Sequence, residues 1–158
     1  MNVVHDTFTL ERTLDATPER VFQALSVPEH KAQWFTGPDA IWTQKKRVMD
    51  FRIGGREQLD GRFESGMESS FDATYLDVVA NERIVYVYEM SVNGRKISAS
   101  LATFELFPEG PRTRLRLTEQ GAYFHDPNAA AYAPDGQAVS RKRGTEGLLG
   151  QLAVFCSG

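Results

Sequence analysis

Arg83-Ile84-Val85-Tyr86-Val87-Tyr88-Glu89-Met90 puts Ile84, Tyr86, Tyr88 and Met90 on one side of a chain that alternates at period two, and Asn93-Gly94 follows it. Period two is the side-chain period of a strand, and Asn-Gly supplies the positive φ values of a tight hairpin. Residues 83–90 are therefore predicted to be a strand that turns back on residues 97–107, where Phe104 is in phase with Leu106. Outward from this hairpin the pattern repeats. Pro108-Glu109-Gly110-Pro111 separates it from a strand at 113–120, and Ala80-Asn81-Glu82 separates it from one at 69–79, in which Tyr75 is in phase with Phe71. Further upstream, residues 48–53 run into Gly54-Gly55, and 56–64 continue as a strand to Ser65-Gly66. Strands joined by short turns, with no helix between them for a parallel crossover, imply an antiparallel meander.

Helical signals occur only at the two ends. Residues 7–14 alternate, with Phe8, Leu10 and Leu14 on one face; Thr17 can then cap a helix over 18–25, and Pro28 opens a second to about Trp34, before Gly37-Pro38. Residues 124–141 read as a loop rich in Ala, Pro and Gly, with room for one helical turn at 128–132. After it, residues 145–155 place Leu148, Leu149, Leu152 and Phe155 at helical spacing. Gly144, Gly147 and Gly150 recur in that helix every three residues; they either allow close packing on the sheet or leave room for a bound molecule.

A chain of 158 residues fits one domain, 1–158, and at this length folding buries roughly 70% of the surface of the unfolded chain. The net charge of −3 and pI of about 5.6 argue against nucleic acid as a partner. The two basic triplets, Lys45-Lys46-Arg47 and Arg141-Lys142-Arg143, read as solvated loops or helix ends. No apolar run is long enough to span a bilayer and the first residues lack a secretory pattern, so no membrane partner is expected and the location is read as cytoplasmic. Cys156 is the single cysteine and has no evident base near it in sequence, which gives it little claim as a nucleophile.

Taken in order, Pro18-Glu19-Arg20-Val21-Phe22, Pro28-Glu29-His30, Trp34-Phe35, Phe51-Arg52-Ile53-Gly54-Gly55-Arg56 and Arg143-Gly144-Thr145-Glu146-Gly147-Leu148-Leu149 resemble the START-related helix-grip superfamily. Within it, the chain is similar to the bacterial branch named after the C-terminal domain of the activator of the Hsp90 ATPase. The resemblance runs from about Phe8 to Phe155. It implies an α+β fold: a curved seven-stranded antiparallel sheet gripping a long C-terminal helix, with two short helices after the first strand. It also implies a cavity between sheet and helix that in many relatives holds a hydrophobic or aromatic molecule. Carriers, cyclases, hydrolase-like enzymes and a co-chaperone domain share the fold, so the reaction class does not follow from it.

The residues themselves name the candidates. Glu57 shares strand parity with Phe51, Ile53, Leu59 and Phe63, which points its carboxylate at the apolar face unless a bulge or turn at Gly54-Gly55 shifts the phase. A buried carboxylate needs a partner or a raised pKa, and either marks a ligand anchor or an acid/base group. Glu119, in phase with Leu115 and Leu117, raises the same question. His125 lies in the following loop, where an imidazole at a cavity mouth could relay protons. Tyr75, Tyr86, Tyr88 and Phe104 suit a mainly apolar pocket with a few hydrogen bonds, and equally suit an ordinary core. Trp34 closes one end of the pocket or caps the core, and Leu148 and Leu152 bring the terminal helix to the other wall.

Histidines at 5, 30 and 125 without a spaced carboxylate or cysteine predict no metal, and phosphate-loop, dinucleotide and nucleophile-elbow motifs are lacking, so no cofactor is expected. The leading expectation is binding of a small hydrophobic or aromatic molecule without chemistry. A cyclase-like or hydrolase-like enzyme, with Glu57 or Glu119 and a Tyr or His125 as its acid/base pair, is the alternative, and a co-chaperone of an Hsp90-type ATPase comes third. A homodimer is left open.

Overall fold

Two prolines set the first turn from strand to helix. β1 (Val3–Leu14) buries Phe8 and Leu14, and the Thr17 hydroxyl then accepts a bond from the Arg20 N–H at 3.3 Å, capping α1 (Pro18–Ser26) with Pro18 in its first turn. Capping satisfies donors that an open helix end leaves unpaired. α2 (Pro28–Trp34) also begins on a proline, and its Trp34 indole N–H donates to the Ala24 carbonyl at 2.8 Å, locking the two short helices together. The computed structural model describes residues 3–124 and 134–158.

β2 (Trp42–Met49), β3 (Arg56–Phe63), β4 (Glu68–Val79), β5 (Arg83–Val92), β6 (Arg95–Glu109) and β7 (Arg112–Phe124) join β1 in a seven-stranded antiparallel sheet of order β1-β7-β6-β5-β4-β3-β2. α3 (Pro134–Ser157) lies against β1 and β7 on one side and against α1 and α2 on the other. This is the α+β helix-grip arrangement expected from the sequence. Asn93 and Gly94, with φ of 50° and 80°, make the β5–β6 turn as their residue types require. The core runs from Leu14, Val21 and Leu25 through Tyr75, Leu115 and Leu117 to Leu149 and Leu152, between the inner face of the sheet and the three helices.

Three expectations need correction. β2 spans 42–49 rather than 48–53, and the basic triplet 45–47 lies within it rather than in a loop or helix end. Lys45 is an extra residue between the paired Gln44 and Lys46, and such a bulge breaks the alternation by which a strand is recognised. Residues 50–55 form the β2–β3 connection, tied to β4 by the Gly54 N–H on the Tyr75 carbonyl (2.8 Å) and the Tyr75 N–H on the Gly55 carbonyl (3.0 Å). Ile53 is therefore 61% exposed, not on the apolar face. Finally, α3 begins at Pro134, so residues 134–141 of the stretch read as a loop are helix; the turn suggested at 128–132 and His125 lie outside the described residues.

Candidate functional site

The inner face of β6 carries small side chains, Ser98, Ser100 and Ala102, between large ones on its neighbours. Tyr86 and Tyr88 of β5 lie opposite Ala102 and Ser100, while Glu119 and Tyr123 of β7 lie opposite Ala102 and Ser98. A sheet so built has a trough along its middle, with tall residues on both sides. α3 spans the trough without filling it. A Cβ added at Gly144 or Gly147 would meet nothing within 4 Å, so these glycines are not there for close packing. The result is an open-mouthed hollow of about 640 Å³ between sheet and α3.

Its walls are mostly apolar: Phe71, Tyr86, Tyr88, Met90, Phe104 and Leu117 from the sheet, with Leu148 and Leu149 from α3. Trp34, Phe35 and Trp42 stand at the α2 end. Trp42 lies flat over two glycines, since a Cβ would come 1.9 Å from its indole nitrogen at Gly61 and 2.5 Å from its ring at Gly37. The Gln151 amide donates to the Trp34 carbonyl at 2.8 Å, and an Arg47 N–H donates to the Phe35 carbonyl at 2.8 Å, fixing this end against α3 and β2.

Two polar groups of residues interrupt the apolar lining. In the first, the Lys31 ammonium donates to Glu57 Oε1 at 2.7 Å, and the Tyr75 hydroxyl donates to the same oxygen. Glu57 is 3% exposed and Lys31 5% exposed, so the two charges compensate each other away from water, and the Arg47 guanidinium also acts on Glu57 through space. The ammonium also lies 4.8 Å from the Phe35 ring centroid and 5.9 Å from that of Tyr86. Burial, then the Glu57 charge, pushes the Tyr75 phenol far up, which keeps it a donor.

In the second, the Tyr88 hydroxyl lies 3.0 and 3.1 Å from the two Glu119 oxygens and receives a bond from Arg141 Nη1 at 3.1 Å. Arg141 Nη2 donates to Ser98 Oγ at 2.8 Å. Burial raises the pKa of Glu119, against the opposing effects of Arg141 and the Tyr88 bond. Burial also raises Tyr86 and Tyr88, so both phenols stay protonated. Such a group can hold or pass a proton at the Glu119 carboxyl and can bind an anion at the guanidinium.

Of the residues singled out from sequence, Trp34, Phe63, Tyr86, Tyr88, Phe104, Glu119 and Leu148 line the hollow. Phe51, Glu57, Tyr75 and Leu152 sit behind its lining. Phe51 is in the β2–β3 connection with its ring 5.8 Å from Phe22 and 4.8 Å from Tyr75, and Leu152 is fully buried under α3. Lys31, Trp42, Thr145 and Arg141 line the hollow without having been singled out for it. The first three carried no strand parity to reveal them, and Arg141 was masked by the exposed Lys142 and Arg143 beside it.

Cys156 is buried, and burial raises its thiol pKa, which disfavours a thiolate. Among the described residues no group of three or more His, Cys, Asp or Glu could hold a metal ion, and no helix is long and apolar enough to cross a membrane.

The family model described as Activator of Hsp90 ATPase homolog 1-like protein matches residues 15–155. The chain belongs to this family. Solved structures of similar shape include an uncharacterized protein from Rhizobium leguminosarum, 37% identical over 98% of this chain and 96% of that one, with a TM-score of 0.88. A protein from Rhizobium loti is 38% identical over 97% and 98% of the two chains, with a TM-score of 0.83. One from Chromobacterium violaceum is 26% identical over 96% and 97%, with a TM-score of 0.72. No curated protein matches the chain. Membership in the Activator of Hsp90 ATPase homolog 1-like family thus accounts for the architecture, and function has to be argued from the hollow itself.

Proposed function

We propose that the chain binds a small, mainly apolar molecule in the hollow between the sheet and α3. The observation that carries this reading is the hollow: about 640 Å³, walled by aromatic and aliphatic side chains, with polar groups at only a few points. Ligand sites of this kind run from about 300 to 1,000 Å³ and use few polar groups to orient an apolar body. A helix thinned by glycines where it faces the sheet is consistent with space kept open.

The test is a thermal-shift screen of apolar and aromatic compounds, with native mass spectrometry of protein purified from its own host. Ligands that bind only the folded state raise Tm with concentration, by about 2.7 kcal/mol of stability at one hundred times Kd. Retained mass or a dose-dependent rise in Tm is expected. A broad panel that leaves Tm unmoved, together with protein that carries no retained mass, would sink the reading.

A catalytic reading has one observation in its favour: Glu119, whose carboxyl is pushed toward its neutral form by burial, lines the hollow beside Tyr88 and Arg141. It requires that a ligand retained from the host change mass on incubation with the wild type and stay unchanged with Glu119→Gln. Unaltered ligand in both would leave binding as the function.

A further inference from the structure

Resting on that reading, we infer that the ligand is an organic anion, an amphipathic carboxylate whose head group pairs with Arg141 and whose apolar body lies along the trough toward Trp34. The two cations that line the hollow are not equivalent. Lys31 is neutralised by Glu57 at 2.7 Å, with the Tyr75 hydroxyl on the same oxygen. Arg141 has only neutral hydroxyls as direct partners among the described residues, Tyr88 at 3.1 Å and Ser98 at 2.8 Å. Its guanidinium carbon lies 5.6 Å from the Tyr88 ring centroid and 5.4 Å from that of Tyr123, so phenol rings occupy much of the space where water would solvate it.

A guanidinium carries five N–H donors in a planar fork matched to a carboxylate. Tyr88 and Ser98 hold one terminal nitrogen each, which fixes the fork's orientation and leaves donors for a further acceptor. A partly buried cation without a counter-ion is costly, and a ligand carboxylate offsets that cost. The neighbouring Glu119 is a poor substitute. Tyr88 stands between it and the guanidinium, its hydroxyl lying on both Glu119 oxygens and receiving the Arg141 bond, so the carboxyl and the guanidinium do not pair directly. The rest of the lining, Phe71, Tyr86, Met90, Phe104 and Leu117, offers no charge, which fits an apolar body on a single anionic head.

Calorimetric titration with naphthalene-2-carboxylate and its neutral counterpart 2-naphthalenemethanol separates head group from body. The acid is expected to bind the wild type at least about tenfold more tightly than the alcohol, the scale of a charge-assisted bidentate pair. Arg141→Met is expected to abolish that preference, bringing the two within about twofold. Should Arg141→Met fail to fold, as read from its melting curve, Arg141→Gln keeps amide donors toward Tyr88 and Ser98 and carries the same expectation. An alcohol bound as tightly as the acid, or an acid preference that survives loss of Arg141, overturns the inference while binding in the hollow stands. A wild type that binds neither probe overturns both.

Discussion

Lys31 and Glu57 are each nearly inaccessible to water, so removing one of them should cost more than removing the pair. Lys31→Met leaves a buried carboxylate without its ion-pair partner and with the Tyr75 hydroxyl as its hydrogen-bond donor, and is expected to lower the unfolding free energy by about 3–5 kcal/mol. The double change Lys31→Met with Glu57→Gln removes both charges and keeps an acceptor for Tyr75, so it should be more stable than Lys31→Met alone. Urea unfolding of both variants checks this; a Lys31→Met protein as stable as the wild type would mean the pair is not formed. Glu119 gives the opposite kind of signal. Its folded-state pKa is raised, so wild type and Glu119→Gln should differ least in acid, where the carboxyl is protonated folded and unfolded alike. As pH rises past the ordinary carboxylate range the unfolded chain ionises first, and the wild type should lose stability relative to Glu119→Gln until the raised pKa is passed. A stability difference between the two that does not change with pH across and above the ordinary carboxylate range would contradict burial as the dominant influence on the Glu119 carboxyl. Strand parity made the inward direction of both carboxylates legible. It gave no hint of their partners: Lys31 is on a helix of seven residues, too short for a clear period, and lysine is ordinarily a surface residue.

α3 shows why half of an element can be legible and the other half not. Residues 145–155 pack Leu149 and Leu152 into the core, and that stripe announces a helix. In the preceding turns Gly136, Gln137, Ser140, Arg141 and Gly144 lie on the wall of the hollow. A helix face that abuts empty space needs no apolar stripe, so its sequence imitates a loop. Gly147→Ala tests that account. Glycine within a helix costs about 1 kcal/mol relative to alanine, and the added methyl would meet nothing within 4 Å. The variant should therefore be more stable by about that amount in urea unfolding; a loss of stability would show that the position is packed after all. β2 was obscured for a different reason. Its Lys45 bulge interrupts the period, and the charged run of Lys45, Lys46 and Arg47 suits the edge of a sheet, where it discourages pairing with another chain.

At the scale of the molecule, the meander from β2 to β7 was legible because each strand pairs with its neighbour in sequence and the turns carry the residues that such turns require. The closing contact is of another kind. β1 pairs along its whole length with β7, from Val3 with Phe124 to Leu14 with Thr113, and nothing local in either strand specifies the other. That pairing orders events in time during biosynthesis. β1 leaves the ribosome well before its partner, and at roughly 5–20 residues per second it waits on the order of 5–20 s for β7 to emerge. Through that interval Phe8, Leu10 and Leu14 lack the β7 partner beside which they are later buried or half-buried, and Asp6, Glu11 and Arg12 are the charged residues interspersed with them. The apolar face of β1 is therefore exposed for as long as synthesis of the meander takes, an interval in which unpaired strands are open to aggregation.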